Sequence, residues 1–313
     1  MTEMWEDAAK TYFLGVQVYA FGLYAALGAA LALIALAMLV RRDKGKPGTT
    51  ALLGTLCILC GFVVSRLFFC FMDQGLGGPV PLKGILMFTG GGYSMMGALL
   101  GACIGGILTA RITRQNPARL LDFLGAAFLL FVACERLGEG SIEDFGISRP
   151  LVGDLLKGSF LSVEGEYDWT LATYLIESFT ALVLAVIILR DISKKRRAGD
   201  SFLLFMLLFG ATQVILESLR FDQHMHLSFV GLQQVMALLL LAAAVTVLAL
   251  RRMKERRKLA VLALALLPLA AGIGVGLEFM IDRTTVNRYL LYALFILDMA
   301  VPAWLGLRLR KDQ

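Results

Sequence analysis

Histidine is almost missing from this chain: His224 and His226, two residues apart in one short connection, are the only two in 313 residues. A Ser–His–Asp triad would have to be assembled from that loop, which argues against serine-hydrolase chemistry. No Gly-Lys-Ser/Thr follows the "GGGY" run at 90–93, so the run is not a phosphate loop. The five cysteines, Cys57, Cys60, Cys70, Cys103 and Cys134, all fall within apolar runs. Cys57 and Cys60 form a CxxC, but no histidine or second pair lies nearby to complete a zinc site, and these thiols read as small core residues. No metal and no cofactor is expected. Low-complexity tracts, internal repeats and a soluble domain are not evident either.

Charge is also scarce, at 17% of residues, where a soluble globular domain carries roughly 25%. What fills the space is apolar: 58% of residues are hydrophobic and the mean hydropathy is +0.75. Nine segments approach the roughly 20 apolar residues that cross a hydrocarbon core. They run over 12–40, 51–72, 88–110, 118–136, 169–189, 201–219, 229–250, 259–280 and 289–307. The chain is therefore expected to be an all-α, polytopic membrane helix bundle. The opening "MTEMWEDAAK" is acidic, unlike the basic start of a cleavable signal peptide, so the first span is expected to be retained.

The net charge of +6 follows this topology. With the N-terminus outside and the C-terminus inside, the inner segments 41–46, 111–119, 190–197, 251–258 and 308–311 hold 21 of the 30 basic residues. The outer segments hold 8, and Arg66 lies within a span. That asymmetry is the positive-inside pattern, and the basic clusters sit close to anionic lipid. No aromatic-studded basic patch accompanies them, so nucleic acid is not an expected partner. On the outer side, 137–168 carries seven acids against two bases and is long enough for a small cap.

Ionisable residues inside a span cost a few kcal/mol and point to function by default. At 1.5 Å per residue, Arg66 and Glu177 each lie roughly 10 Å below the outer surface, and Arg136 and Glu217 lie near the outer ends of their spans. Gln213, Glu217 and Arg220 follow i, i+4, i+7 spacing and share one helix face. Tyr93 and Ser94 add hydroxyls at the same level. A cavity open to the outer leaflet, in which Arg66 and Arg136 present guanidinium forks, suits a phosphate-bearing head group. Asp298, about ten residues into the last span, is the exception to this outward bias. Gly97, Gly101 and Gly105 lie four apart on the third span and predict a close helix–helix approach.

The order of motifs resembles the prolipoprotein diacylglyceryl transferase family. "YAFGLYAALG" in the first span is similar to the family's YGLxxxxG opening, and "GGGYSMMGALLG" to its GGxSFHGGLIG motif. "CERLGEGSIEDFG" resembles the signature GRxGNFxNxExxG, "FGATQVILESLRFD" the YGxxRFxxExxRxPD motif, and "LSFVGLQQVMALL" the SMGQxLS segment that follows. Arg136, Gly138, Glu217, Arg220 and Asp222 match residue by residue, with Glu143 or Asp144 as the signature acid. The departures are Met96 for the motif histidine, Phe21 for the opening tyrosine, Glu139 for the signature asparagine, and Phe209 and Gln213 for the tyrosine and arginine of the fourth motif. The likeness covers residues 1–250, with the cap around 137–168, and leaves 251–313 as an added C-terminal hairpin.

This resemblance implies a bacterial plasma-membrane enzyme of lipoprotein biosynthesis, which moves diacylglyceryl from phosphatidylglycerol to the lipobox cysteine thiol of an exported preprotein. Taken with the depth of the ionisable residues in their spans, it makes Arg136, Arg66, Arg220, Tyr93, Ser94, Gly138 and Glu177 the expected phospholipid-binding residues. With the histidine replaced, Glu217 and Glu143 are the expected bases. Two other readings stand beside it. One is a non-catalytic or repurposed relative that binds phospholipid or lipidated peptide. The other is a transporter, which calls for polar residues at mid-membrane and broken helices in paired positions.

Overall fold

The computed structural model describes residues 10–13, 16–73, 85–86, 92–142, 145–151, 153–154, 156–165, 168–194, 196–221, 226–227 and 229–310. A short antiparallel pair, β1 (Lys10–Phe13) and β2 (Val16–Tyr19), precedes the bundle. Then follow α1 (Ala20–Arg42), α2 (Thr49–Asp73), α3 (Met95–Thr113) and α4 (Pro117–Glu139). A second hairpin, β3 (Ser162–Glu164) and β4 (Trp169–Leu171), leads into α5 (Thr173–Ser193) and α6 (Asp200–Leu219). Two-residue strands β5 (His226–Leu227) and β6 (Val230–Gly231) introduce α7 (Leu232–Arg252), α8 (Arg257–Arg283) and α9 (Arg288–Arg310).

Nine helices among the described residues match the nine apolar runs, and α1, α2, α3, α6, α7, α8 and α9 are long and apolar enough to cross a membrane. The chain is a polytopic membrane bundle, as its hydropathy predicts. The predicted starts need correction. The first run begins at 12, yet helix begins at Ala20, because Lys10–Phe13 and Val16–Tyr19 pair as strands in a segment rich in β-branched and aromatic residues. The fifth run begins at Trp169, but Trp169–Leu171 pairs with Ser162–Glu164 and the helix waits until Thr173. Hydropathy reports that a segment is apolar; the period of its hydrogen bonding is a separate matter.

Local chemistry fixes other boundaries. Ser94 caps α3, its Oγ accepting from Gly97 N at 3.2 Å, and Asn116 caps α4, its Oδ1 accepting from Ala118 N at 3.0 Å with Pro117 in the first turn. The core is densely aromatic between α4 and α6: Phe205 and Phe209 stack at 5.3 Å, and Phe128 meets Phe209 edge-on at 6.1 Å.

Gly97, Gly101 and Gly105 form the seam of α3 against α2. A Cβ at Gly101 would lie 2.2 Å from the Cys60 carbonyl oxygen, and one at Gly105 would lie 2.6 Å from the Leu56 carbonyl. Only hydrogen fits there.

The ends of the helices gather into two groups. One group holds the segments around Arg42, Arg114, Arg196 and Arg256, where Asp122 accepts from the Gly199 and Phe202 amides at 2.9 and 2.8 Å. There Asp200 pairs with Arg251 at 2.8 Å, and Asp191 takes Arg196 at 3.2 Å together with Arg310. The opposite group holds Arg136, Glu177 and Arg220 and is called here the site end.

Gly101→Ala is expected to destabilise the bundle by about 1–3 kcal/mol, because the new methyl meets backbone rather than a movable side chain. Gly272→Ala, with open space around it, should leave stability nearly unchanged. Thermal unfolding in detergent compares the two.

Candidate functional site

Four charged side chains from three helices converge at the site end. The last turn of α4 supplies Arg136 and Glu139, one turn apart; α5 supplies Glu177 from its second turn; Arg220 follows α6 directly. All are nearly inaccessible, with relative exposures of 2% for Arg136, Glu139 and Glu177 and 8% for Arg220. Arg220 is therefore the guanidinium nearest the rim.

Glu139 is the hub. It accepts from Arg220 through both oxygens, Nη1 to Oε2 at 2.8 Å and Nη2 to Oε1 at 3.1 Å, and it also accepts from Arg136 Nη1. Glu177 Oε2 lies 2.6 Å from Arg136 Nε and accepts from Arg220 Nη1 at 3.2 Å. The Arg136 Nε contact is a close ion pair without hydrogen-bond alignment. Arg136 Nη2 donates to the Met95 sulfur at 3.1 Å, and Glu135 approaches Arg136 Nε at 3.6 Å. The Phe145 ring lies 5.2 Å beneath the Arg220 guanidinium.

Two guanidiniums thus face three carboxylates, those of Glu135, Glu139 and Glu177. Glu177 Oε1 and Glu135 Oε2 are buried and accept no hydrogen bond from the described residues. Both cations are thus already paired within the cluster, and two carboxylate oxygens have acceptor capacity left over.

The residues singled out by sequence separate into groups. Arg136, Glu177 and Arg220 come together. Glu217 lies one turn before the end of α6, half-buried, where Gln213 Nε2 donates to it at 3.3 Å. That contact follows the i, i+4 spacing. Arg220 departs from it: α6 ends at Leu219, the Arg220 backbone is extended at φ −73° and ψ 145°, and its side chain turns to Glu139.

Arg66 takes a different direction. Its Nη1 donates to the Gly92 carbonyl at 2.8 Å, and its guanidinium lies 6.0 Å from the Phe69 ring centre and 5.6 Å from that of Tyr93. Gly92 has φ +80°, and a Cβ there would lie 2.5 Å from Phe69 and 2.7 Å from Arg66 Nη1, so Gly92 makes room for this arginine. Tyr93 is 36% exposed and packs on Phe62 at 5.2 Å, whereas Ser94 is fully buried at its cap. Gly138 marks the crossing of α1, since a Cβ would lie 2.9 Å from Tyr24. Glu143, Asp144 and Asp222 lie outside the described residues.

Glu135, Glu139 and Met95 were not among the predicted site residues. The i, i+3 spacing of Arg136 and Glu139 was the available signal for the hub. Glu139 instead stood out as a departure from a signature asparagine, which hid its role.

The family model for prolipoprotein diacylglyceryl transferase matches residues 10–250, which contain every member of this cluster. The chain belongs to the prolipoprotein diacylglyceryl transferase family. It is a multi-pass protein of the bacterial plasma membrane. Among its curated relatives, the phosphatidylglycerol–prolipoprotein diacylglyceryl transferase of Staphylococcus haemolyticus (strain JCSC1435) is 29% identical over 188 residues, 58% of this chain and 65% of the relative. Proteins of the same name from Staphylococcus xylosus and Staphylococcus aureus (strain Newman) are 27% and 25% identical, covering 58% of this chain and 66% and 67% of their own lengths. The matches thus span about two thirds of these relatives. α8 and α9 lie beyond the family match.

Removing one partner from the cluster leaves an uncompensated buried charge. Glu139→Ala is expected to cost about 3–5 kcal/mol in stability, and the same change made beside Arg220→Met should cost much less than the sum of the two. Chemical unfolding of the single and double variants in detergent measures the coupling.

Proposed function

We propose that this chain transfers diacylglyceryl from phosphatidylglycerol to the lipobox cysteine of an exported preprotein, with the cluster of Arg136, Arg220, Glu139 and Glu177 as the head-group site. The observation that carries the reading is the convergence of two guanidiniums from separate helices, at positions matching two family motifs. The charge asymmetry of the connections supports the site end facing the outer monolayer, with the N-terminus out.

In this reading the lipid phosphate takes the place of carboxylate around Arg220, which lies nearest the rim, while Arg136 stays behind it as a second fixed cation. The unoccupied acceptor oxygens of Glu135 and Glu177 suit the hydroxyls of a glyceryl head group. The cysteine thiolate attacks the glyceryl carbon, a carbon–sulfur bond forms, the carbon–oxygen bond to phosphate breaks, and glycerol phosphate departs with the bonding electrons. The guanidiniums stabilise that leaving anion, and a base receives the thiol proton. Glu217 is suited to this role: it is half-buried beside the site and forms no ion pair among the described residues, whereas Glu139 and Glu177 are each engaged by two arginines. Arg66, Tyr93 and Ser94 belong to the neighbouring wall at the start of α3, and Gly138 to the contact with α1.

One observation favours a second reading, a non-catalytic relative that binds phospholipid or lipopeptide. Met96, which stands where the resemblance puts a histidine, is 4% exposed and packs into the apolar core, so it brings no titratable group.

Mass spectrometry of the purified chain with phosphatidylglycerol and a lipobox peptide separates the two. A thioether-linked diacylglyceryl peptide supports transfer; retained phosphatidylglycerol without product supports the binding relative. Arg136→Ala is expected to abolish lipid retention. Arg136→Lys, which keeps the charge but loses the fork, is expected to retain lipid more weakly. Unaltered retention in a folded Arg136→Ala protein counts against the head-group assignment.

A further inference from the structure

The direction of Arg220 is set by its backbone, which pairs with residues 147–148 and is braced from behind by helices outside the family match. Arg220 forms an antiparallel bridge with Ser148, and the Phe221 amide donates to the Ile147 carbonyl at 3.0 Å. On its far edge, 148–151 pairs with β4: Ser148 N donates to Leu171 O at 2.9 Å and Leu151 N to Trp169 O at 2.8 Å. The 147–151 segment is thus the middle of a three-ply ribbon whose outer ply carries Arg220.

The α8–α9 hairpin grips this ribbon at three points. Asp282, at the end of α8, holds Arg149 at 2.7 Å, and the Arg149 guanidinium in turn lies 4.9 Å from the ring centre of Phe221, the residue after Arg220. Arg288, at the start of α9, donates to the Pro150 carbonyl at 3.4 Å. Tyr292, one turn further, donates its hydroxyl to the Ser218 carbonyl at 3.0 Å, two residues before Arg220. Ser218 lies in the last turn of α6, so the Tyr292 bond also supports a helix terminus. At the opposite end of the bundle, Arg310 closes α9 onto Asp191 and onto the Asp200 carbonyl at 3.2 Å. The hairpin is tied to the core at both ends.

We infer that Asp282 and Tyr292 are positioning residues for the reaction: the added hairpin braces the ribbon that aims Arg220 into the carboxylate hub. Neither side chain reaches the hub itself; both act through the backbone on either side of Arg220. The catalytic part of this inference rests on the function proposed above, whereas the brace does not.

The full-length chain in nanodiscs tests both parts. Hydrogen–deuterium exchange is read on peptides covering 145–151 and 218–221 in wild type, Asp282→Ala, Tyr292→Phe and the double variant. Exchange in those peptides is expected to rise several-fold in the double variant, to return toward wild type in Asp282→Glu, and to stay unchanged in the middle of α4. Unchanged exchange at 145–151 and 218–221 overturns the brace. Transfer, or phosphatidylglycerol retained per folded protein, is then compared in wild-type and Arg220→Ala backgrounds. The double variant is expected to lose about ten- to hundredfold in the first and nothing further in the second. Losses of equal size in both backgrounds show that the hairpin acts on folding alone and overturn the positioning role. If wild type neither transfers nor retains lipid, the proposed function fails, while the exchange result still decides the brace.

Discussion

The buried charges of this molecule obey one constraint: a charge inside an apolar bundle must find compensating partners within the protein. Desolvating an ion costs several kcal/mol even after relaxation, and only close, hydrogen-bonded partners offset it. The chain meets this condition twice. At the site end Arg136, Arg220, Glu139 and Glu177 connect α4, α5 and the end of α6. At the other end Asp191, Asp200, Arg251 and Arg310 connect α5, α6, α7 and α9. The two networks share α5 and α6, so these helices form a strut with a charged clamp at each end.

The α2–α3 pair is held by a different force. Its seam is made of glycines, and its cohesion is the dispersion gained when two backbones approach closely. Arg66, near the end of α2, fits that setting, resting among Phe69, Tyr93 and the Gly92 carbonyl. The wall on one side of the site is therefore joined by shape, and the wall on the other by charge.

Much of this was legible in the sequence, and the gaps have physical reasons. Nine apolar runs correspond to nine helices among the described residues because hydrocarbon-length segments have few alternatives. Their starts slipped where aromatic and β-branched residues found a strand partner, as at Lys10–Tyr19 and Trp169–Leu171. Depth along a span identified Arg136 and Glu177 as neighbours, since both lie close to the same end of the bundle. Depth says nothing about azimuth, and so it grouped Arg66 with them although that side chain turns toward the start of α3. The i, i+4, i+7 spacing that put Arg220 on one face with Gln213 and Glu217 assumed a continuing helix, and the helix stops one residue short. Glu139 carried its own signal, three residues after Arg136, but an acid in place of an amide read as a loss when it is the centre of the cluster.

Because Arg220 owes its orientation to a bridge with Ser148, its facing obeys the two-residue alternation of extended chain and not the turn of α6. Adding or deleting one residue between Gly146 and Leu151 would shift the register and swing the guanidinium to the opposite side of the ribbon, away from its acids. In this protein the span of a loop, measured in odd and even steps, decides whether a positive charge meets its acids or points away from them.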